Sequence, residues 1–177
     1  AAAMTGIQTA AIFTGGDYPN GNNNAETFEY DGSSWTDGTD IPTAVRAHAM
    51  FGTQSAAVVC GGYTTTRVAT TYEWDDSSWT EVGDLNTARF YGGWAGSSST
   101  DAMFSGGQPQ PAGNVELYDG SAWAEQANLS QNRDYTQGSG STTAGAWTAG
   151  GRLIPPGAAQ QTTDEWTVSQ NVKTIAD

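Results

Sequence analysis

The chain of 177 residues carries few side chains suited to acid–base, nucleophilic or metal chemistry. His48 is its only histidine and Cys60 its only cysteine. One histidine excludes metal centres built from several histidines, and it leaves a single candidate base for a Ser-His-Asp or Cys-His arrangement. Because His48 lies in the run AHAMF and Cys60 in the run AAVVC, we predict a core or channel-facing histidine on a first strand and a buried, inert strand cysteine. We therefore predict no catalytic residues and no enzyme activity.

Carboxylates are the one abundant class of reactive group, with 19 Asp and Glu. A pair of them could hydrolyse a glycosidic bond, and this alternative stays open. Many, however, occupy repeated turns, in which Asp accepts hydrogen bonds from its own turn: Asp31, Asp75, Asp76 and Asp119. Four others could offer oxygens to Ca²⁺, although no calcium loop of recognisable spacing contains them: Asp17, Asp40, Asp84 and Asp101. We predict no metal site and no cofactor.

The charge balance limits the partners. The formal net charge is −13, and Lys173 is the only lysine. Nucleic acids and anionic membrane surfaces are bound first through clusters of Lys and Arg, so both are excluded as partners. No apolar stretch approaches the ~20 residues that span a bilayer, which argues against membrane insertion. The opening segment AAAMTGIQTAAIF has no basic n-region and does not match a signal peptide.

An internal repeat of 44–46 residues organises the chain. Each unit has an arginine-led run, an apolar run that ends in two glycines, an aromatic-rich run and a tryptophan. The glycines are Gly15, Gly16, Gly61, Gly62, Gly106, Gly107, Gly150 and Gly151. The tryptophans are Trp35, Trp79 and Trp123, and the arginines are Arg46, Arg89 and Arg133.

These units predict an all-β fold. Each unit has four short β-candidates separated by Gly, Asn, Asp and Ser turns, and no helical period occurs. One unit cannot bury both faces of its sheet, whereas four units arranged radially can. We therefore predict a single domain over residues 1–177, a β-propeller of four four-stranded antiparallel blades. The predicted blades are approximately 1–38, 46–83, 89–126 and 133–177.

The order of these landmarks resembles the kelch repeat, and the resemblance covers nearly the whole chain. The DGSSWT and GTQSAA phrases also resemble kelch-like arrays in marine bacteriophage structural proteins. Kelch propellers usually have six or seven blades, whereas this chain supplies four. Kelch-type copper oxidases need two histidines and a cysteine cross-linked to tyrosine, which this chain cannot provide. The fourth unit has Asn171 in place of the tryptophan.

The repeated residues are predicted to be scaffold. Glycine pairs allow close approach of strands, and a tryptophan at a fixed blade position packs between blades. The arginines are predicted to bond carbonyls or to pair with Glu29, Glu73 or Glu165.

A binding surface is predicted on one face of the propeller. The loops between second and third strands vary most, and they lie on the same face as the segments that enter each first strand. Variation on a fixed scaffold is where specificity can be built. The candidate ligand- or partner-binding residues are Tyr18, Asn20, Asn22, Tyr63, Arg67, Gln108, Gln110, Arg152 and Leu153. Their amide and phenol groups suit sugar hydroxyls or a polar protein surface, and the alternative is that these loops only connect strands.

The expected function is a non-catalytic structural or interaction module on a particle surface, most simply a phage virion protein used for decoration, as a fibre or in adhesion. Two alternatives stay open: a secreted carbohydrate-binding or carbohydrate-active propeller, and a protein-binding kelch adaptor. The expected partners are other virion or surface proteins, a host-surface glycan, and a second copy of the chain that meets the last strand. The expected location is the virion or the extracellular space.

Overall fold

The computed structural model describes residues 1–109, 111–140, 145–154, 158–159, 161–166 and 172–175. Blade 1 contains β1 (Ala3–Ile7), β2 (Ala10–Thr14), β3 (Thr27–Tyr30) and β4 (Trp35–Asp37). Blade 2 contains β5 (Ala49–Gly52), β6 (Ala57–Cys60), β7 (Thr71–Trp74) and β8 (Trp79–Glu81). Blade 3 contains β9 (Gly93–Ser98), β10 (Asp101–Ser105), β11 (Val115–Tyr118) and β12 (Trp123–Glu125). Blade 4 contains β14 (Gln137–Ser139), β15 (Trp147–Ala149), β17 (Thr163–Trp166) and β18 (Val172–Ile175).

Each blade is one antiparallel sheet with its strands in chain order, and the four sheets form a four-bladed β-propeller. A separate two-stranded ladder pairs β13 (Arg133–Asp134) with β16 (Arg152–Leu153) beside blade 4. The all-β fold of four four-stranded blades is thereby confirmed. The strands are short because turn residues interrupt every apolar run.

The turn between the third and fourth strands repeats in blades 1, 2 and 3. In blade 1 the Asp31 carboxylate accepts hydrogen bonds from the backbone amides of Ser33 and Ser34, both at 2.8 Å. These bonds, led by that from the Ser34 amide, lower the pKa of Asp31 to about 2. Asp75 and Asp119 accept the equivalent bonds. The prediction that these three aspartates cap their own turns is confirmed.

In blades 1, 2 and 3 the glycine pair marks where the blade meets the linker that leads to the next one. All eight glycines have positive φ, between 62° and 108°. A Cβ on Gly61 would lie 2.6 Å from the carbonyl oxygen of Arg89, which is closer than atoms can pack. The predicted role of the pairs in close approach of the backbone is confirmed.

The core lies in the seams between consecutive blades. In the first seam Ile12 of blade 1 packs with Met50 and Trp79 of blade 2. In the second seam Cys60 of blade 2 packs with Phe104 of blade 3. A third cluster joins Met103 and Val115 of blade 3 to Ala146 and to Leu129 of the linker before blade 4. Blades 1, 2 and 3 therefore each bury one sheet face against the blade that follows.

The repeated tryptophans belong to these seams in two blades. Trp79 and Trp123 are 8% and 6% exposed. Their indole N–H groups donate to the Thr39 carbonyl oxygen at 2.9 Å and to the Thr71 hydroxyl at 3.0 Å, both on the preceding side of the seam. Trp35 differs, because it is 48% exposed. The predicted packing between blades thus holds for Trp79 and Trp123 but not for Trp35.

Two of the repeated arginines form buried ion pairs. The Arg89 guanidinium lies 2.9 Å from Glu116 and donates to the carbonyl oxygens of Gly106 and Asn114 at 3.1 and 2.7 Å. Arg133 pairs in the same way with Asp164. The predicted carbonyl bonds are confirmed.

The predicted acidic partners Glu29, Glu73 and Glu165 were wrong for these arginines. Glu73 instead accepts a hydrogen bond from the Tyr118 hydroxyl at 2.7 Å. Asp164 directly precedes Glu165 in β17, and Glu116 of β11 is the equivalent of Tyr72, which directly precedes Glu73 in β7. Side chains of adjacent strand residues point to opposite sheet faces.

Arg46 was wrongly grouped with these two arginines. In blades 1, 2 and 3 the second glycine of the pair donates to the linker of the next blade, and the acceptors are the carbonyl oxygens of Val45, Arg89 and Arg133 at 2.8, 2.8 and 3.0 Å. Val45 is therefore the equivalent of Arg89. It is buried in one cluster with Tyr72, which stands in blade 2 where Glu116 stands in blade 3. Blade 2 thus replaces the ion pair with an apolar pair.

We expect Glu116→Leu to destabilise the protein by about 3–5 kcal/mol, because the Arg89 guanidinium would stay buried without its counter-ion. The double variant Arg89→Val/Glu116→Tyr copies blade 2 and should recover at least half of that loss. Urea unfolding followed by tryptophan fluorescence measures both. As a control, Arg46→Ala should cost less than about 1 kcal/mol. A double variant as unstable as Glu116→Leu would contradict this account of the seam.

Candidate functional site

The candidate site lies on the face that carries the second-to-third loops. There the loops of blades 2 and 3 pair with the linkers that enter their own blades. Tyr63 and Arg46 exchange backbone hydrogen bonds at 3.1 and 2.8 Å, and Gln108 and Phe90 exchange the same two bonds at 3.1 and 2.8 Å. These bridges hold variable loop residues against repeated linker residues. The backbone of the predicted loop face is therefore held in place by these hydrogen bonds.

Four aromatic rings cross this face in a continuous series, which we call the aromatic strip: Tyr63, Phe90, Tyr91 and Tyr135. Successive ring centroids lie 5.3, 4.7 and 4.1 Å apart, and the last pair is stacked with an interplanar angle of 25°. Tyr135 is 49% exposed. Rings at these separations attract one another, so the strip is a preformed surface with an open end at Tyr135.

An arginine lies over each end of the aromatic strip. The guanidinium of Arg46 is 5.1 Å from the Tyr63 ring centroid, and that of Arg152 is 5.1 Å from the Tyr135 centroid. Both distances fit cation–π contacts. The strip therefore combines apolar ring faces with fixed positive charge, although the chain as a whole is strongly acidic.

The Arg152 end is held by a buried carboxylate. Arg152 donates to both oxygens of Asp134, at 3.0 and 2.6 Å, and Asp134 is fully buried. The Gln108 side-chain amide donates to the same carboxylate. The hydrogen bonds to Asp134 raise the pKa of Arg152, so its charge persists at every physiological pH.

The backbone around the propeller axis explains why Tyr91 and Tyr135 stack. Ala47, Tyr91 and Tyr135 share a left-handed conformation, with φ of 54°, 59° and 53°. The amide of Tyr91 donates to Ala47 at 3.2 Å, and that of Tyr135 donates to Tyr91 at 2.7 Å. This inter-blade chain of hydrogen bonds sets the two rings side by side. Left-handed φ is uncommon for tyrosine, and its recurrence indicates a position fixed by the fold.

A pocket of about 540 Å³ opens beside the strip at the axis. All four innermost strands or their entering segments contribute to it, and its larger side chains include Tyr91, Trp94, Tyr135 and Gln137. Among the described residues that line it, none is Asp, Glu, Lys or Arg. Its size is within the range of small-molecule sites, and its lining suits an uncharged ligand with both polar and apolar edges.

His48 lines this pocket but is 3% exposed. Burial lowers its pKa to about 4, so the imidazole is neutral at pH 7.

The structure brings three of the predicted site residues, Tyr63, Gln108 and Arg152, to the strip. Tyr18, Asn20 and Asn22 lie farther along the face in an exposed loop. That loop is joined to the strip because Arg46 donates to the Gly21 carbonyl oxygen at 3.3 Å.

The other predicted site residues are not placed in the strip. Arg67 is exposed and Leu153 is half-buried, and neither contributes a ring or charge to it. Gln110 lies outside the described residues, as does Asn171.

Sequence reasoning missed four residues of the site: Phe90, Tyr91, Asp134 and Tyr135. A signal for two of them was present. The runs RFY and RDY place a tyrosine at the same position after an arginine, 44 residues apart. Such repetition resembles that of scaffold residues, and only the three-dimensional arrangement distinguishes a ring on the surface from one in a seam.

Comparison with known proteins adds no assignment: no family model matches the chain, and no curated protein matches it. In the described ranges, no group of three or more His, Cys, Asp or Glu could hold a metal ion. No helix in that part of the chain is long and apolar enough to cross a membrane.

His48 should make the protein sensitive to mild acid. Its pKa in the folded state, about 4, lies below the ordinary value near 6.5, so the unfolded chain takes up the proton first as the pH falls. The neutral imidazole makes its full contribution to the free energy of unfolding above about pH 6.5. That contribution is lost as the pH falls toward 4. At pH 5 this loss is about 2 kcal/mol.

The measurement is urea unfolding of the protein and of His48→Phe at pH 7.5 and pH 5. The variant should lose about 2 kcal/mol less than the parent between the two pH values. Equal losses in the two proteins would show that His48 does not titrate in this way.

Proposed function

We propose that this protein is a non-catalytic binding module and that its loop face is the recognition surface. The observation that carries the proposal is the aromatic strip with an arginine over each end. Tyr and Arg are enriched where binding energy is concentrated in protein interfaces. The strip is also braced before any partner arrives, which lowers the ordering cost of binding.

Binding rather than catalysis is favoured by the state of the reactive groups. The ring nitrogens of His48 are shut off from solvent, and its pKa of about 4 leaves it a poor general base at neutral pH. Cys60 is fully buried, and burial raises the pKa of its thiol far above the ordinary value. Neither group is placed to attack a bound substrate.

For the biological setting, we propose that the blades are kelch-like repeats and that the protein is displayed on a phage virion or in the extracellular space. Support comes from the repeat landmarks and the phrases DGSSWT and GTQSAA. An acidic chain with one lysine is also suited to exposure without adhesion to nucleic acid. Quantitative mass spectrometry of purified particles tests this setting: the protein should be present in fixed stoichiometry, and its absence would refute the setting.

A saccharide is the partner class favoured by one specific observation. The Tyr135 ring is 49% exposed, lies under the Arg152 guanidinium, and lines the axial pocket together with Trp94 and Gln137. An aromatic face can cover the apolar face of a sugar while nearby amide, hydroxyl and guanidinium groups bond its hydroxyls. A host-surface glycan is thus the ligand for which we propose a search. A polar protein surface that uses the same strip is the second candidate.

Tyr135→Ala should reduce binding to the best ligand on an array of neutral and acidic oligosaccharides by at least about tenfold, because it removes the open end of the strip. Trp147→Ala is the matched control, since Trp147 is a 40% exposed aromatic residue of blade 4 outside the strip. Its binding should equal that of the parent. Equal binding by the Tyr135 and Trp147 variants would contradict the assignment of the strip.

A further inference from the structure

Tyr91 and Tyr135 form the closest ring contact of the aromatic strip. Their ring centroids lie 4.1 Å apart with an interplanar angle of 25°. All seven tyrosines of the chain lie in the described ranges, and among them only these two have rings in contact with each other. Phenylalanine rings would stack equally well, so the stack itself does not require the two hydroxyl groups.

The two tyrosines meet at the backbone and again at the tips of their side chains. At the backbone, the Tyr135 amide donates to the Tyr91 carbonyl oxygen at 2.7 Å. At the tips, burial and then the neighbouring Tyr91 hydroxyl raise the pKa of the Tyr135 phenol, which indicates that the two hydroxyl groups lie next to each other. Because the rings are stacked in the same direction, the Cε carbons beside the hydroxyl groups also face one another.

The two rings differ in their access to solvent. Tyr135 is 49% exposed, whereas Tyr91 is only partly exposed. A soluble oxidant can therefore reach the Tyr135 phenol directly. Tyr91 can then reduce the Tyr135 radical, because an electron and a proton have to move only between touching phenols. Both phenols can thus be oxidised through one exposed ring.

We propose that Tyr91 and Tyr135 are a site of oxidative cross-linking, at which a one-electron oxidant joins the two phenols as a dityrosine. Two oxidation steps remove one electron and one proton from each phenol. The two phenoxyl radicals form one Cε–Cε bond, and the hydrogens displaced from these carbons move to the phenol oxygens. With a haem peroxidase as the oxidant, hydrogen peroxide takes up the two electrons and two protons and becomes two water molecules. This site does not depend on the proposed function.

The new bond fastens two blades together at the axis. Tyr91 lies in the linker that enters blade 3, and Tyr135 lies between β13 and β14 at the entry to blade 4. The bond closes a covalent loop from residue 91 to residue 135. A cross-link of this span restricts the unfolded chain more than the folded one, so oxidation stabilises the propeller.

The test treats the full chain in dilute solution with hydrogen peroxide and a haem peroxidase, and isolates the monomer under denaturing conditions. Trypsin separates the two tyrosines because it cuts after Arg133, which leaves Tyr91 in peptide 90–133 and Tyr135 in peptide 134–152. The treated monomer should show dityrosine fluorescence and should yield these two peptides joined, with the loss of two hydrogen atoms. It should also unfold at a urea concentration higher by at least about 0.5 M than the untreated chain.

Conservative variants separate this pair from the other tyrosines. Tyr91→Phe and Tyr135→Phe keep both rings. Each should lower the yield of cross-linked monomer at least about tenfold, because two groups held in contact react at a high effective concentration. Tyr18→Phe is the matched control, since Tyr18 is a 40% exposed tyrosine outside the strip, and its yield should equal that of the parent. Circular dichroism confirms that each variant is folded.

Three results would overturn the proposal. The first is the absence of dityrosine from the monomer, with cross-links found only between separate chains or not at all. The second is a yield in Tyr91→Phe equal to that of the parent. The third is a cross-linked monomer that unfolds at the same urea concentration as the untreated chain.

Discussion

The contact between each linker and the third strand of the blade that it enters is the interaction on which the rest of the structure depends. It fixes where one blade sits on the next, because the linker touches both. The glycine pairs allow the linker backbone to pass, as at Gly61, where a Cβ would lie 2.6 Å from the Arg89 carbonyl oxygen. The contact between linker and third strand is an ion pair in blade 3 and an apolar pair in blade 2. The repeat therefore conserves a geometry rather than a particular chemistry.

The contacts between linkers and third strands also position the residues of the loop face. Once a linker has crossed the third strand, its next residues reach the axis, where Tyr91 and Tyr135 take up their left-handed backbone. Three of the four strip rings, those of Phe90, Tyr91 and Tyr135, thus belong to the segments that hold the blades together, whereas Tyr63 belongs to the second-to-third loop of blade 2. We therefore expect the proposed recognition surface to change little on binding, and the second-to-third loops that contribute no ring can vary without loss of the strip.

Much of the architecture could be predicted from sequence, because spacing alone reveals a repeat whose strands need one another to bury their faces. The glycine pairs, the turn aspartates and the burial of Trp79 follow from that spacing. The register of Arg46 could not be predicted, since a shift of one residue against Val45 is invisible without the backbone hydrogen bonds. Nor could the acidic partners, because adjacent strand residues such as Glu116 and Leu117 face opposite sides of the sheet. The aromatic strip could not be predicted from the sequence because its rings come from different blades.

Hydroxyl-radical footprinting of side chains tests the central claim most directly, with the protein alone and with the oligosaccharide that an array selects. Recognition by the loop face predicts that Tyr63 and Tyr135 lose reactivity when the ligand is bound, while Trp147 keeps its own. Unchanged reactivity of both tyrosines under saturating ligand, with protection at other exposed aromatic residues, would contradict it.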